Sequence, residues 1–276
     1  MKKIFYLILL LSIFVFYGCG DNNLFEGSAD KNSSEAQKVE LKNDLDDGNY
    51  DSVINELENQ DNLDQEERIL LASAYLGKAG VDFINALEIS EQSNISSFDT
   101  MSEILNSPTL DNNSIKTKNN LINKALTTLD PNYESATLAS YETKTLYSTT
   151  PERKLNVTNP SEDEDLLKGI AATMDTLVII GDILYNVTGE PVKLTKNYIN
   201  GLFPQYESDL TSYNIPDTTL TRINKNLAAL NTAIYILAGE NFDNIRADFE
   251  DFKNKLGYSD SQITENEIEN YILNLN

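Results

Sequence analysis

The chain is expected to fold as an all-α protein. Beyond residue 34 its apolar residues recur at steps of three and four, strand-like alternation is almost absent, and helix-start signatures precede the apolar runs. The clearest run is Leu220, Ile223, Leu227, Leu230, Ile234 and Leu237, and the rhythm continues through Phe242, Ile245, Phe249, Phe252 and Leu256. Gly239 and Gly257 follow these runs as stop signals, because glycine takes the left-handed conformation that ends a helix without steric cost. Thr264-Glu265-Asn266-Glu267 has capping-box spacing, with Ile263 and Ile268 in staple positions and Ile268, Tyr271, Ile272 and Leu275 as the face to be buried. Ser161-Glu162-Asp163-Glu164 opens a long helix in the same way, with Leu166, Ile170, Met174, Leu177, Gly181 and Leu184 on one stripe and Gly189 and Pro191 beyond its end. Two stretches break the rhythm. Residues from about 144 to 160 contain Pro151 and Pro160 among many hydroxyl side chains and read as a linker, while Phe203 to Pro216 reads as an irregular packed loop.

Composition narrows the chemistry. With 276 residues, of which 40% are apolar, the chain can bury a core. Histidine and tryptophan are absent and the one cysteine is Cys19. No Ser-His-Asp or Cys-His nucleophile system, His-ligated metal or intrachain disulfide can therefore be built. A carboxylate pair could still hydrolyse a glycoside, but 44 acidic residues give no spacing that singles one out. No catalytic residue, metal site or cofactor is expected. The formal charge of -23 repels phosphate backbones and anionic headgroups, which argues against nucleic acid as a partner and against adhesion to lipid through a basic patch.

The N-terminus supplies another route to a membrane. Lys2 and Lys3 precede an apolar run from Ile4 to Tyr17 interrupted only by Ser12, and Gly18 stands just before Cys19, the charged, apolar, small-residue order of a secretory signal. The run is shorter than the ~20 helical residues a ~30 Å hydrocarbon core needs. Phe16-Tyr17-Gly18-Cys19 resembles the lipobox of bacterial lipoproteins, with Phe16 and Tyr17 where that family usually has Leu and a small residue. The resemblance implies a diacylglycerol thioether on Cys19, cleavage after Gly18 and acylation of the new amino group. Several acyl chains, at about 0.8 kcal/mol per buried methylene, anchor a protein stably. Cleavage would remove 2 of the 21 basic residues and leave 19 against 44 acidic, a net charge of -25. Gly20 rather than Asp follows Cys19, which in lipoprotein sorting implies the outer membrane, facing the periplasm. Residues 19–34 are small and polar and would act as a lipidated flexible tether spanning about 20 Å.

Beyond the tether, Asp47-Gly48-Asn49-Tyr50 followed by Val53 and Leu57 resembles the turn and second helix of a tetratricopeptide repeat. Asp64-Gln65-Glu66-Glu67 then caps a helix with Ile69, Leu71, Ala72 and Tyr75, like the first helix of a following repeat, and Ala125 to Asn132 resembles the repeat-closing segment. The large aromatic near each repeat start is missing, and Ala79-Gly80 stands where a turn belongs. The expected organisation is a signal peptide over 1–18, the tether over 19–34, tetratricopeptide-like stacked helix pairs over 35–147, and a C-terminal helical bundle over 161–276 packed with them. Such pairs imply a concave face, and among Tyr75, Tyr133, Tyr141 and Tyr147 the side chains of Tyr75 and Tyr141 are the expected anchors for a protein or peptide partner. The expected role is a non-catalytic, membrane-anchored interaction adaptor of the cell envelope. The alternative is a lipoprotein that captures a solute or glycan for a transporter, against which the missing tryptophan counts.

Three smaller signals take structural explanations. Asp44, Asp46 and Asp47 before Gly48 lack the spacing of a calcium loop and read as a solvated helix end. Gly169 and Gly181 read as packing positions of a buried helix, since Lys168, Asp175 and Asp182 are unsuited to lipid. Asp30-Lys31-Asn32-Ser33-Ser34 matches an extended glycosylation sequon by chance in a polar tether.

Overall fold

The structure, a computed structural model, describes residues 33–82, 95–106, 109–133, 161–237, 243–258 and 262–275. Gly18, Cys19, most of the tether, Asn32, Tyr141, Tyr147, the 144–160 stretch, Gly239 and Phe242 lie outside them. Within the described residues are ten helices: α1 (Ser34–Asp46), α2 (Tyr50–Leu57), α3 (Gln65–Lys78), α4 (Ser97–Ile104), α5 (Asn112–Leu129), α6 (Glu162–Thr188), α7 (Lys196–Leu210), α8 (Asp217–Leu237), α9 (Asp243–Lys255) and α10 (Glu265–Leu273). The all-α class is what the three-four rhythm predicts, and the extended pairing among the described residues is an isolated bridge between Leu110 and Val192. The chain divides into two compact units, residues 1–42 and 43–276, with the boundary inside α1. In the first unit the described backbone is the start of α1, where the Ser33 hydroxyl accepts from Ala36 N at 3.2 Å.

In the second unit local chemistry sets the helix starts. Asp64 with Glu67, Asp111 with Ser114 and Ser161 with Glu164 form reciprocal capping boxes at α3, α5 and α6, satisfying amides that have no carbonyl partner within the helix. At α10 the Glu267 carboxylate accepts from Thr264 N at 2.7 Å, and Ile263 and Ile268 are buried as the staple spacing requires. Gly189 and Gly257 close α6 and follow α9 with φ of +70° and +90°, the conformation that makes them stop signals.

The central element is α6. Every position from Gly169 to Leu184 is buried, so the single stripe read from the sequence understates it: this helix is enclosed all round. Helices α3, α4, α5, α7 and α8 all pack on it, whereas each unit of a pure repeat stack touches only its neighbours. The tightest crossing is with α8, where a Cβ on Gly169 would overlap that of Ala233 and stand 3.0 Å from Ala229 O. Gly181 gives Leu110 the same kind of access. No helix among the described residues is long and apolar enough to cross a membrane.

The Phe203–Pro216 loop is corrected in its first half, because α7 runs to Leu210 with Pro204 inside it. Proline keeps a helical φ, and the penalty of its missing N–H and its clash with the preceding turn is local. A Thr195 cap on Tyr198 N and the buried anchors Ile199 and Leu210 hold the helix on both sides of the proline.

Candidate functional site

From Asn43 to Glu67 the sequence has ten acidic residues and no lysine or arginine. These residues end α1, make α2 and open α3, and Asp46, Asp47, Asp51, Glu56, Asp61 and Asp64 are exposed. The turn between α1 and α2 is built on Gly48 at φ +75°, with Asn49 N donating to Asp44 O at 2.7 Å and Asn49 Nδ2 to Asp44 Oδ1 at 3.3 Å. Val53, Ile54 and Leu57 bury the inner face of α2, and the Tyr50 ring lies on Gly77 of α3 where a side chain would collide. The outer face is thereby fixed outward. Asp44, Gly48, Asn49, Tyr50, Asp51, Ser52 and Lys78 line a shallow concavity of about 400 Å³. Its cation, Lys78, is paired with Asp51, and Lys124 of α5 pairs with Glu58 at 2.6 Å. The remaining carboxylates outnumber these neighbouring ammonium groups, so the edge carries negative potential suited to a cationic partner.

Tyr75 is not on an open face. It is 3% exposed in the core of α3, with Lys124 Nζ 5.2 Å from its ring centroid. The expectation that Tyr75 lines a partner groove is corrected: its neighbours Leu71 and Ala72 turn the same side of the helix inward. Tyr141, its predicted companion, lies outside the described residues.

Tyr133 is also internal, and it marks a polar seam that sequence reasoning missed. Asp175, wholly buried in α6, accepts from Arg222 Nε at 2.6 Å, from Arg222 Nη2 and from Asn226 Nδ2 at 2.7 Å. Asn226 Oδ1 accepts from the Tyr133 hydroxyl, and Arg222 Nη2 donates to Asn123 Oδ1 at 2.9 Å. Burial, followed by the charge of Asp175, raises the Tyr133 hydroxyl far above the usual phenol range and keeps it a donor. A second buried pair joins α3 to the first turn of α6: Arg68 Nε donates to Glu164 Oε1 at 2.8 Å while Glu164 Oε2 accepts from Ser161 N at 3.1 Å. Both guanidinium groups are committed to structural partners, a fixed arrangement that holds helices rather than substrates. Among the described residues no three His, Cys, Asp or Glu side chains are grouped to hold a metal ion.

The chain matches no protein-family model, and comparison with curated proteins and with solved structures gives no significant match.

Proposed function

We propose that this protein is a non-catalytic lipoprotein of the cell envelope, anchored through lipid on Cys19, and an adaptor that docks a cationic protein or peptide on its acidic edge. The observation that carries the docking is the run from Asn43 to Glu67, ten carboxylates without a basic residue, displayed on short helices whose inner faces are locked into the core. Rigid presentation matters, because ordering a mobile surface on binding costs affinity. The anchor rests on the lipobox-like Phe16-Tyr17-Gly18-Cys19 at the end of the apolar run. Within this reading the Gly48 turn and α2 serve as the turn and second helix of a tetratricopeptide-like unit, with the partner on their charged outer face.

Charge steering has a measurable consequence. Association accelerates at low salt and slows as screening shortens to about 8 Å at physiological ionic strength, whereas a neutral solute shows no such dependence. The test places a photo-crosslinking residue at Asp47 in intact cells, identifies the captured protein, and measures its association with the chain from Gly20 onward at low and high salt. Reversal of Asp46, Asp47 and Glu56 to lysine is expected to slow association by about tenfold or more, within the range steering supplies. A captured partner whose rate is indifferent to both salt and charge reversal refutes the docking surface.

A further inference from the structure

Negative charge is unevenly spread over the second unit. Acidic residues make up 44 of the 276 positions, yet α5 has none, and α8 has none after its first residue, Asp217. Every other helix carries at least one exposed or half-buried acidic residue. The two exceptions belong together: both pack on α6, Arg222 of α8 donates to Asn123 of α5 at 2.9 Å, and the Tyr133 hydroxyl, just beyond α5, donates to Asn226 of α8.

Beside that joint each helix turns a polar stripe outward. On α8, Thr218, Thr221, Lys225, Ala228, Thr232 and Tyr235 recur at steps of three and four, and all are exposed. On α5, Lys116, Asn119, Asn123 and Thr127 share one side in the same way, Lys116 exposed and the rest half-buried. At 83% exposure, Tyr235 is one of two large hydrophobic side chains in open solvent among the described residues. Helix stability does not explain the composition, because Glu is a better helix former than the Thr and Asn found at these wet positions.

What the face can receive follows from charge. Interface centres are depleted of charged residues, since opposed carboxylates repel and each loses hydration. With a formal charge of -23, two copies of this chain repel wherever carboxylates meet, and the α5–α8 face is where they do not. Lys225 is the charge within the α8 stripe, and its long stem lets the ammonium reach the rim. Size is adequate as well. Helix α8 has 21 residues, about 31 Å at 1.5 Å each, and two helices each about 10 Å wide give a flat footprint of about 600 Å². Side-chain relief brings that close to the ~800 Å² per partner of a standard interface.

We propose that the α5–α8 face is a self-association surface, on which two copies of this chain meet about a twofold axis with Tyr235 as an aromatic anchor. Tyrosine suits that place, because its rigid ring contributes contact area and its hydroxyl stays hydrated until the surfaces close. The contact is independent of the acidic edge, and its salt dependence has the opposite sign. A cationic partner on the edge is held less well as salt rises, whereas two negative bodies meeting on a carboxylate-free face associate better once their mutual repulsion is screened.

The test is disulfide trapping of the full chain in intact cells under mild oxidation, with Thr221→Cys, Ala228→Cys and Thr232→Cys made singly. The unaltered chain, whose one cysteine is Cys19, gives the background, and Asn55→Cys on the exposed side of α2 gives the off-face control. In a twofold contact the residue beside the axis meets its own counterpart, so at least one stripe position is expected to yield a dimer of the chain severalfold above both controls. Within that variant, Tyr235→Ala or the addition of Ala228→Glu or Thr221→Glu at an uncrosslinked position should lower the yield severalfold, while Asn55→Glu, the same charge placed elsewhere, should not. For the full chain in mild detergent, the yield should rise with salt. No dimer from any stripe position, an equal yield from Asn55→Cys, cross-linking only to a different protein, or a yield that falls with salt overturns the self-association surface; none of these outcomes bears on docking at the acidic edge.

Discussion

Replacing Asp175 by Asn is the sharpest probe of how the core is held. The change preserves shape but leaves the Arg222 guanidinium, 2% exposed, without the carboxylate that accepts from its Nε and Nη2. Removing one partner of a buried pair costs about 3–5 kcal/mol, because the remaining charge is uncompensated. Against a total stability of about 5–15 kcal/mol, that is a large share. Arg222→Met alone is expected to cost a similar amount. Combining Asp175→Asn with Arg222→Met removes both charges, so the losses should not add. What persists is the weakened bonding of Asn226 Nδ2, which keeps Thr176 Oγ1 at 3.1 Å, and of Asn123, for about 1–3 kcal/mol. Urea unfolding of the chain from Gly20 onward, with all variants compared at constant m-value, measures the cycle. A single substitution costing under about 1 kcal/mol, or a double whose cost equals the sum of the singles, refutes the view that the charges stabilise mainly by cancelling each other.

Other consequences follow from packing, burial and the leader. Gly169→Ala should destabilise by about 1–3 kcal/mol through collision with Ala233 and Ala229 O, whereas Gly201→Ala, with nothing near its added Cβ, should stabilise by up to about 1 kcal/mol; thermal denaturation separates them. Lys118 Nζ donates to Ala79 O and Leu105 O, and burial lowers it from 10.5 to about 8. The folded chain therefore releases that proton before the unfolded chain does, and wild type should gain stability relative to Lys118→Met as pH climbs from about 8 to about 10.5 in pH-dependent urea unfolding. Cys19→Ser should abolish incorporation of a fatty-acid analogue and release or stall the protein; unchanged labelling would show that the lipid is elsewhere.

Helix existence was legible because it is a local property. The boxes at Asp64, Ser161 and Thr264 fall where the structure starts α3, α6 and α10, and Ile223, Leu227, Leu230, Ile234 and Leu237 are all buried on α8. Pro204 misled because a breaker signal weighs local cost alone, while α7 is held by anchors on either side of it. Tyr75 misled for a different reason: its spacing from Leu71 marks a buried face, but its hydroxyl invited a surface role. For the candidate edge, the charge run from Asn43 to Glu67 stands in the sequence in full, whereas its outward display depends on Tyr50 seating on Gly77.

The polar interior was illegible for a physical reason. Arg68 and Glu164 are 96 residues apart, Tyr133 and Asn226 are 93 apart, and Asp175 and Arg222 are 47 apart. In a chain with 44 acidic residues, nothing in the spacing distinguishes Glu164, Asp175 and Asp182, the carboxylates buried among the described residues, from those that face water. The distinction comes from α6. Enclosing a helix on all sides forces any charge it carries into low dielectric, where a buried, hydrogen-bonded counter-charge is required. Asp175 lies in that enclosed stretch and Glu164 is buried in the first turn ahead of it, and each draws an arginine from another helix, which fixes α8 and α3 to α6. Breaking either pair should therefore loosen its own crossing first. Asp175→Asn is expected to raise exchange in α8 more than in α3, and Glu164→Gln to do the reverse; equal loosening of both helices by either change would mean that the two crossings unfold as one unit.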